Sequence, residues 1–459
     1  MNCGHDFHAG AAIVDLQPPL GLPIMGRCRL GGIMTGRMNA TGRFTPLCAR
    51  AVVFDDGASI IALCSVDVMA VTYRLTSQVR ADVLGRCGSG MDVTVVATHT
   101  HSAPPGYREF GFEDERADAW LHQVAECITQ AVQQAHHNLR PARAVVGSAL
   151  VHDIASNRRI RMPNGQLEMN FLVDDPFEGT PAGPIDPQLL VLRVDELNGA
   201  PVAIVANFAC HSNILLEREH LDYCAEPFVM AMQELEASTP GLVGLHVPGA
   251  MGDINAFTYY RDRSHRGEQR MARRYLRHIN DALCQAKPIA HYPIKALSSH
   301  LDVHHRSMPP AGNLRAEIDR YTLELRGAER RDDHEALWKT RRMISHREAL
   351  LDYVQHHETD STMIPLRFKL IRIGQLLLVT VPGELFVEYG LELKRASQPH
   401  LCMVVGYADD YQGYFPTESA FDEGGYETMP SIYSRAEHRA GRRYLEHAVH
   451  ELSRLTAPE

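Results

Sequence analysis

Between Val93 and Gly106 the chain reads VTVVATHTHSAPPG, an apolar β-type run that delivers His99 and His101 and then breaks into a Pro/Gly loop. Strand side chains alternate faces, so residues two apart point the same way. Both imidazoles can therefore face one cavity, with Thr98 and Thr100 on the other side. Three further segments share this grammar. VAIVANFACHSN delivers Cys210 and His211, QLLLVTVPGELF stops at Pro382–Gly383 and presents Glu384, and CMVVGYADDYQGYFPT turns at Gly406 and presents Tyr411 and Tyr414. Two histidines and a glutamate that leave one position open are a recurrent catalytic zinc set. Imidazole also suits other divalent metals, so zinc is the preferred ion and not the sole one. Taken singly, Glu384 reads equally well as an acid at a helix N-terminus, and His211 as an ordinary buried histidine.

The elements that must position these residues alternate. Ala51–Phe54, Ile60–Val66, Val93–Thr98, Ala144–Gly147, Leu189–Val194, Val202–Phe208 and Leu242–Val247 read as strands. Arg74–Leu84, Ala117–Leu139 and Glu226–Glu236 read as helices, the last with Pro227 in its first turn. Strand character returns at Ile364–Ile373, Gln375–Val381 and Leu401–Gly406, and Ser434–Leu455 looks helical. This alternation predicts an α/β fold with a mixed β-sheet core flanked by helices. Glu268–Ala286 and Leu314–Tyr353 are long and charged, with Leu, Ile and Tyr at helical spacing. No linker or repeat interrupts the chain, so residues 1–459 read as one domain with a helical insertion at about 265–357. The insertion is expected to be an amphipathic hairpin packed on the main domain. A lid, or an arm that joins copies into a homo-oligomer, is the alternative.

Composition bounds the partners. The 459 residues carry a formal net charge of −10 with both signs interspersed, which argues against general nucleic-acid affinity. Ten cysteines are dispersed without a CxxC pair, a pattern of reduced, buried thiols and not of a disulfide framework or zinc knuckle. The N-terminus shows no signal-peptide pattern and no apolar run reaches transmembrane length. The expectation is a cytoplasmic protein without stable membrane association, acting on a small molecule.

The motifs THTHS, FACHS, PGE and the final tyrosine segment together resemble the neutral/alkaline ceramidase family, amide hydrolases with a catalytic zinc. The resemblance begins at GAAIVDLQPPLGLPIMG and includes SNRR at Ser156–Arg159 and GAMGDIN at Gly249–Asn255. It implies that His99, His211, Glu384 and Tyr414 are metal ligands. It also implies that His101 assists at the reacting carbonyl and that Arg158 positions substrate or stabilises developing charge. One departure stands out. The family carries serine in a GDxS segment, where this chain has Asn255. An asparagine cannot act as a nucleophile but can orient a carbonyl or water by hydrogen bonding. The secretion signal and C-terminal sandwich domain of the family are not evident either, which turns the expectation from ceramide toward a smaller amide.

The sequence thus predicts a zinc-dependent amidohydrolase cleaving a C–N bond of a small N-acyl or lactam-type substrate by a metal-activated water. His101, Arg158 and Asn255 would be its catalytic groups. An esterase or lactonase on the same site, or a silent metal- or ligand-binding protein, are the rival readings. A Cys210 nucleophile is disfavoured, because it points opposite to His211 if that histidine faces the metal.

Overall fold

The computed structural model describes residues 7–24, 39–88, 90–108, 115–170, 179–214, 221–256, 262–289, 292–356 and 363–457. The end of the opening GAAIVDLQPPLGLPIMG motif and part of the Pro104–Arg116 loop lie outside them. The apolar runs assemble into two sheets where the sequence suggested one. The larger holds, in spatial order, Val243–Pro248, Pro201–Phe208, Gln188–Glu196, Arg140–Leu150, His8–Asp15, Cys48–Asp55, Ile60–Val66 and Asp92–Ala97, with Lys287–Pro288 pairing on Arg140–Leu150. The outermost pair at each edge is parallel and the inner pairs are antiparallel, so the sheet is mixed. The smaller sheet runs Ile294–His304, Met363–Ile373, Leu376–Thr380, Leu401–Val405.

Period-two burial explains the stacking. Leu190, Leu192, Leu376, Leu378, Met403 and Val405 share the core between the sheets. Their strand neighbours Leu189 and Val191 face the helices Tyr73–Cys87, Glu115–His137, Glu226–Ser238 and His265–Cys284. On the far side, Leu377, Val379, Cys402 and Val404 pack under Val387–Ala396 and Ala440–Thr456. Each such buried aliphatic side chain contributes about 1.5–3 kcal/mol, so strands apolar on both faces are stable only between two layers. The result is a helix–sheet–sheet–helix sandwich, in keeping with the expected α/β class.

Two expectations change. The segment read as one helical insertion divides into three. His265–Cys284 packs on the larger sheet, Ile294–His304 is a full strand in register with Met363–Ile373, and only Ala311–Arg331 and His334–His356 form the hairpin. This strand carries no continuous apolar run, since Ser298, His300, Asp302 and His304 are exposed polar positions along it. The last helix begins at Ala440 and not at Ser434. The preceding backbone is held extended by Arg306 N donating to Arg435 O (2.8 Å) and Glu437 N donating to His304 O (2.9 Å). Two ring contacts join this hairpin to the rest of the chain. His346 stands edge-on to Tyr426 at 5.8 Å, and the Arg435 guanidinium lies 5.9 Å from the Tyr353 ring. No helix among the described residues is long and apolar enough to cross a membrane.

Candidate active site

The four strand-terminal motifs meet at one point, by a route different from simple strand alternation. The strand Asp92–Ala97 ends before the first histidine, and His99 itself adopts φ +62°. Left-handed backbone at a non-glycine residue costs on the order of 1–3 kcal/mol and persists only where its surroundings impose it. Here His99 N donates to Val68 O (3.1 Å) and the ring Nδ1 meets Met69 O at 2.7 Å. His211 is anchored the same way, with Nδ1 2.8 Å from Ile254 O. A backbone carbonyl can only accept, so both rings carry their proton on Nδ1 and offer Nε2 as a lone-pair donor.

Those donors converge. His99 Nε2 lies 4.0 Å and His211 Nε2 3.4 Å from the same Glu384 oxygen, Oε2. His101 Nε2 lies 3.2 Å from His99 Nε2. The His211 Nε2 atom is buried without a well-directed hydrogen bond. Glu384 is presented by a two-residue pairing with Tyr414 and by its N–H donating to Gly413 O (2.8 Å). A side chain at Gly252 would collide with Glu384 O, at 2.6 Å, so glycine there lets the GAMGDIN loop lie against the PGE turn.

Electrostatics favours a cation at this point. Burial lowers His99 to about 3, keeping its ring neutral. For Glu384 burial pushes upward, but His211, His99 and Arg158 outweigh it and hold the carboxyl at about 2. The neutral His99 imidazole, the His211 imidazole with its Nε2 turned to the same point, and one ionised carboxylate are a fitting donor set for a divalent ion. His99, His211 and Glu384 are each 1–2% exposed, whereas His101 is only half-buried. Its ring stands at the solvent side of the cluster, where it can act on a substrate.

The remaining expected residues surround this set. Arg158 donates from Nε to Glu427 Oε1 (2.7 Å), and its guanidinium lies over the Tyr414 ring at 5.4 Å. Tyr414 hydrogen-bonds to Arg158. The phenols that reach Glu384 are others: Tyr411 Oη donates to Oε1 (2.6 Å) and Tyr407 Oη to Oε2 (3.0 Å). Asn255 is buried, its Nδ2 donating to Asn170 Oδ1 (3.1 Å) and its Oδ1 without a partner. Asp253 is a brace. It accepts from Val387 N (2.9 Å) and Asn157 Nδ2 (2.7 Å), and burial raises its carboxyl to about 6.

Several groups escaped the sequence reading. Tyr407, at φ +57°, stacks on His99 with ring centroids 3.9 Å apart. Glu226, at φ +63°, accepts from His101 N (3.2 Å), Ser102 Oγ (2.8 Å) and Ser212 Oγ (2.6 Å), so one carboxylate ties the THTHS and FACHS segments together. Glu427 also accepts from Arg159 Nη1 at 2.9 Å, which pins the Gly-rich loop Phe421–Thr428 beneath the arginines. The loop is thereby the seat of Arg158. Asp67 is bound by Cys48 N and Arg50 Nη1, each at 2.8 Å, and is a buried structural anchor. Cys210 belongs to the helix-side core, its Sγ directed at His211 O (3.3 Å).

Fold and site together define an α/β protein with a buried His/His/Glu donor set at the ends of its strands. Residues 23–223 match the family model described as neutral/alkaline non-lysosomal ceramidase, N-terminal. Neutral ceramidase A of Dictyostelium discoideum is 25% identical over 229 residues, 47% of this chain and 30% of that protein. Neutral ceramidase of Pseudomonas aeruginosa is 26% identical over 187 residues, 38% of this chain and 26% of that protein. The alignments thus span less than a third of these relatives. The crystal structure of the Pseudomonas aeruginosa enzyme superposes with a TM-score of 0.71 at 16% identity, covering 98% of this chain and 74% of that one, which shows the shared fold. Over residues 23–223 the chain is thus similar to the N-terminal part of the neutral/alkaline ceramidases. The family match contains His99, His101, Arg158 and His211, while Asn255, Glu384 and Tyr414 lie beyond it.

Proposed function

We propose that this protein is a metal-dependent amidohydrolase that cleaves the C–N bond of a small N-acyl or lactam-type substrate. The observation that carries the reading is the convergence of His99 Nε2, His211 Nε2 and the Glu384 carboxylate, with both Nδ1 atoms locked on backbone carbonyls. The names of the relatives, all ceramidases, point to the same bond type. His99, His211 and Glu384 would hold the ion, zinc by preference, with a tyrosine beside Glu384 completing the shell. Such an ion polarises an acyl carbonyl and lowers the pKa of water to about 7.

The chain's own residues supply the rest. His101 Nε2, beside the ligands and half-buried, takes the proton released when water adds to the carbonyl and returns it to the departing nitrogen. Arg158, held charged by Glu427, faces negative charge growing on the carbonyl oxygen. The unpartnered Asn255 Oδ1 accepts from an amide N–H or a water, the orienting role open to an asparagine where the family has serine. Glu226 and Asp253 position these groups without touching substrate. We place the protein in the cytoplasm on the same footing, as a proposal from its sequence.

Metal analysis combined with turnover of a panel of acyl amides, lactams and matched esters tests the proposal. Metal-dependent release of amine supports it. Preferential ester cleavage would favour the esterase reading, and bound metal with no turnover of any acyl substrate would favour a silent binding protein.

A further inference from the structure

Behind the THTHS loop lies a second cluster of metal-type donors that the hydrolytic site does not use. Cys224 follows the short strand Asp222–Tyr223, and its backbone is tied to that loop: Thr100 Oγ1 donates to Cys224 O (2.7 Å) and Cys224 N to Ser102 O (2.9 Å). His265 and Glu268 come from the first turn of the helix His265–Cys284. Cys224 Sγ and His265 Nδ1 both reach the same carboxylate oxygen, Glu268 Oε2, at 3.3 and 3.0 Å. One ligand atom from each of the three residues lies within 4.8 Å of the others. Cys224 and Glu268 are fully buried, and Phe44 covers the imidazole, stacked on it at 3.7 Å.

Two features separate this cluster from an ordinary buried hydrogen-bond network. The second carboxylate oxygen, Glu268 Oε1, is buried with no hydrogen-bond partner, although Glu268 is 0% exposed. Buried carboxylate oxygens are left bare only at a cost, which a cation removes. In addition, His265 Nε2 lies 3.2 Å from Asp222 Oδ2, so a carboxylate holds the far side of the ring and directs Nδ1 at the cluster. That carboxylate–histidine arrangement orients metal-binding imidazoles. Among the described residues neither Asp222 nor Glu268 has a Lys or Arg ion pair.

We propose that Cys224, His265 and Glu268 form a second, structural metal site for zinc or a similarly thiophilic divalent ion, which fastens the His265–Cys284 helix to the back of the catalytic loop. Typical bond lengths of about 2.3 Å to sulfur and 2.0–2.1 Å to nitrogen put donors in a tetrahedral shell about 3.3–3.7 Å apart. The spacings to Glu268 Oε2, 3.3 Å from Cys224 Sγ and 3.0 Å from His265 Nδ1, lie at and just below that range. One thiolate and one carboxylate balance the two charges of the ion, and Glu268 Oε1 is available as the fourth donor. The site stands independently of the hydrolytic proposal, since it shares no ligand with it.

Cobalt(II) titrated into chelator-stripped full-length protein provides the test. A thiolate-to-cobalt charge-transfer band in the near ultraviolet should appear, because the His99/His211/Glu384 set offers no sulfur to produce one. Cys224→Ser should abolish the band, His265→Gln should weaken it at least tenfold in apparent affinity, and Cys210→Ala should leave it intact. Zinc content by mass spectrometry should fall by one equivalent per chain in Cys224→Ser and, separately, in His211→Ala. Circular dichroism confirms that each variant is folded; His265→Gln serves if Cys224→Ser is not. Absence of the band in folded wild-type protein, or a band and zinc content unchanged in His265→Gln, would overturn the proposal. Loss of metal in His211→Ala alone would bear only on the hydrolytic site.

Discussion

Replacing His101 by alanine separates the two roles that the site allows its third imidazole. His101 Nε2 stands 3.2 Å from His99 Nε2, close enough to be a ligand, yet its ring is half-buried while the other donors are 1–2% exposed. Its fixed contact runs through the backbone, His101 N to Glu226 Oε1, which alanine retains. Truncation therefore removes the proton-transfer group without disturbing the carbonyl anchors at Met69 and Ile254. A positioned acid/base contributes about 10²–10⁴-fold, equivalent to about 3–5 kcal/mol of barrier. His101→Ala should keep full metal occupancy, leave KM little changed and lower kcat by about that factor. His211→Ala is the counterpart. It deletes a donor and one of the two hydrogen bonds to Ile254 O, the other, from the backbone N–H of residue 211 (3.1 Å), being kept by alanine, at a further cost of about 0.5–1.5 kcal/mol in stability. It should lose both metal and activity. Metal content by mass spectrometry and turnover of an acyl amide, measured on the same samples, decide the matter. If His101→Ala loses its metal, the donor set is the three histidines and the assignment of His101 as acid/base is wrong.

Acid should destabilise the fold through its buried neutral histidines. Burial lowers His246 to about 3 from 6.5, so between those values the unfolded chain binds the proton that the folded chain refuses, and stability falls as pH drops. By pH 5 that single site costs about 2 kcal/mol; His246→Gln should flatten the dependence of the urea midpoint on pH, and an unaltered slope would exclude the mechanism. Glu427→Ala strips the shared carboxylate from two arginines that are each 4% exposed. Breaking such a buried pair costs about 3–5 kcal/mol, and thermal denaturation should show it together with loss of turnover; a wild-type melting profile would contradict the burial argument. Cys210→Ala should retain wild-type kcat and KM, because its thiol faces the helix-side core; abolished turnover in a folded variant would revive the thiol nucleophile.

The strand-terminal motifs were legible because their signals are local. An apolar run ended by Pro or Gly marks where a side chain is delivered, and His99, His211 and Glu384 were identifiable on that basis. The reason given for pairing His99 with His101 was incomplete, since the rings meet through a left-handed residue and a backbone clamp to Glu226 instead of strand alternation. The tyrosines show the limit most clearly. Tyr407, Tyr411 and Tyr414 follow one turn, and sequence alone cannot say which phenol points inward. Positive φ at Tyr407 and Asp409 sends Tyr407 and Tyr411 to Glu384 and leaves Tyr414 against Arg158.

By itself, then, the sequence determined the class of fold and the donor types, because periodicity, turn residues and side-chain chemistry are properties of short segments. Tertiary structure alone decided that the apolar runs form two stacked sheets and that Ile294–His304 is a strand. It alone brought Glu427 beneath Arg158 across 269 positions, and Cys224 beside Glu268 across 44. Such pairings depend on which layers bury one another, and no spacing along the chain encodes that.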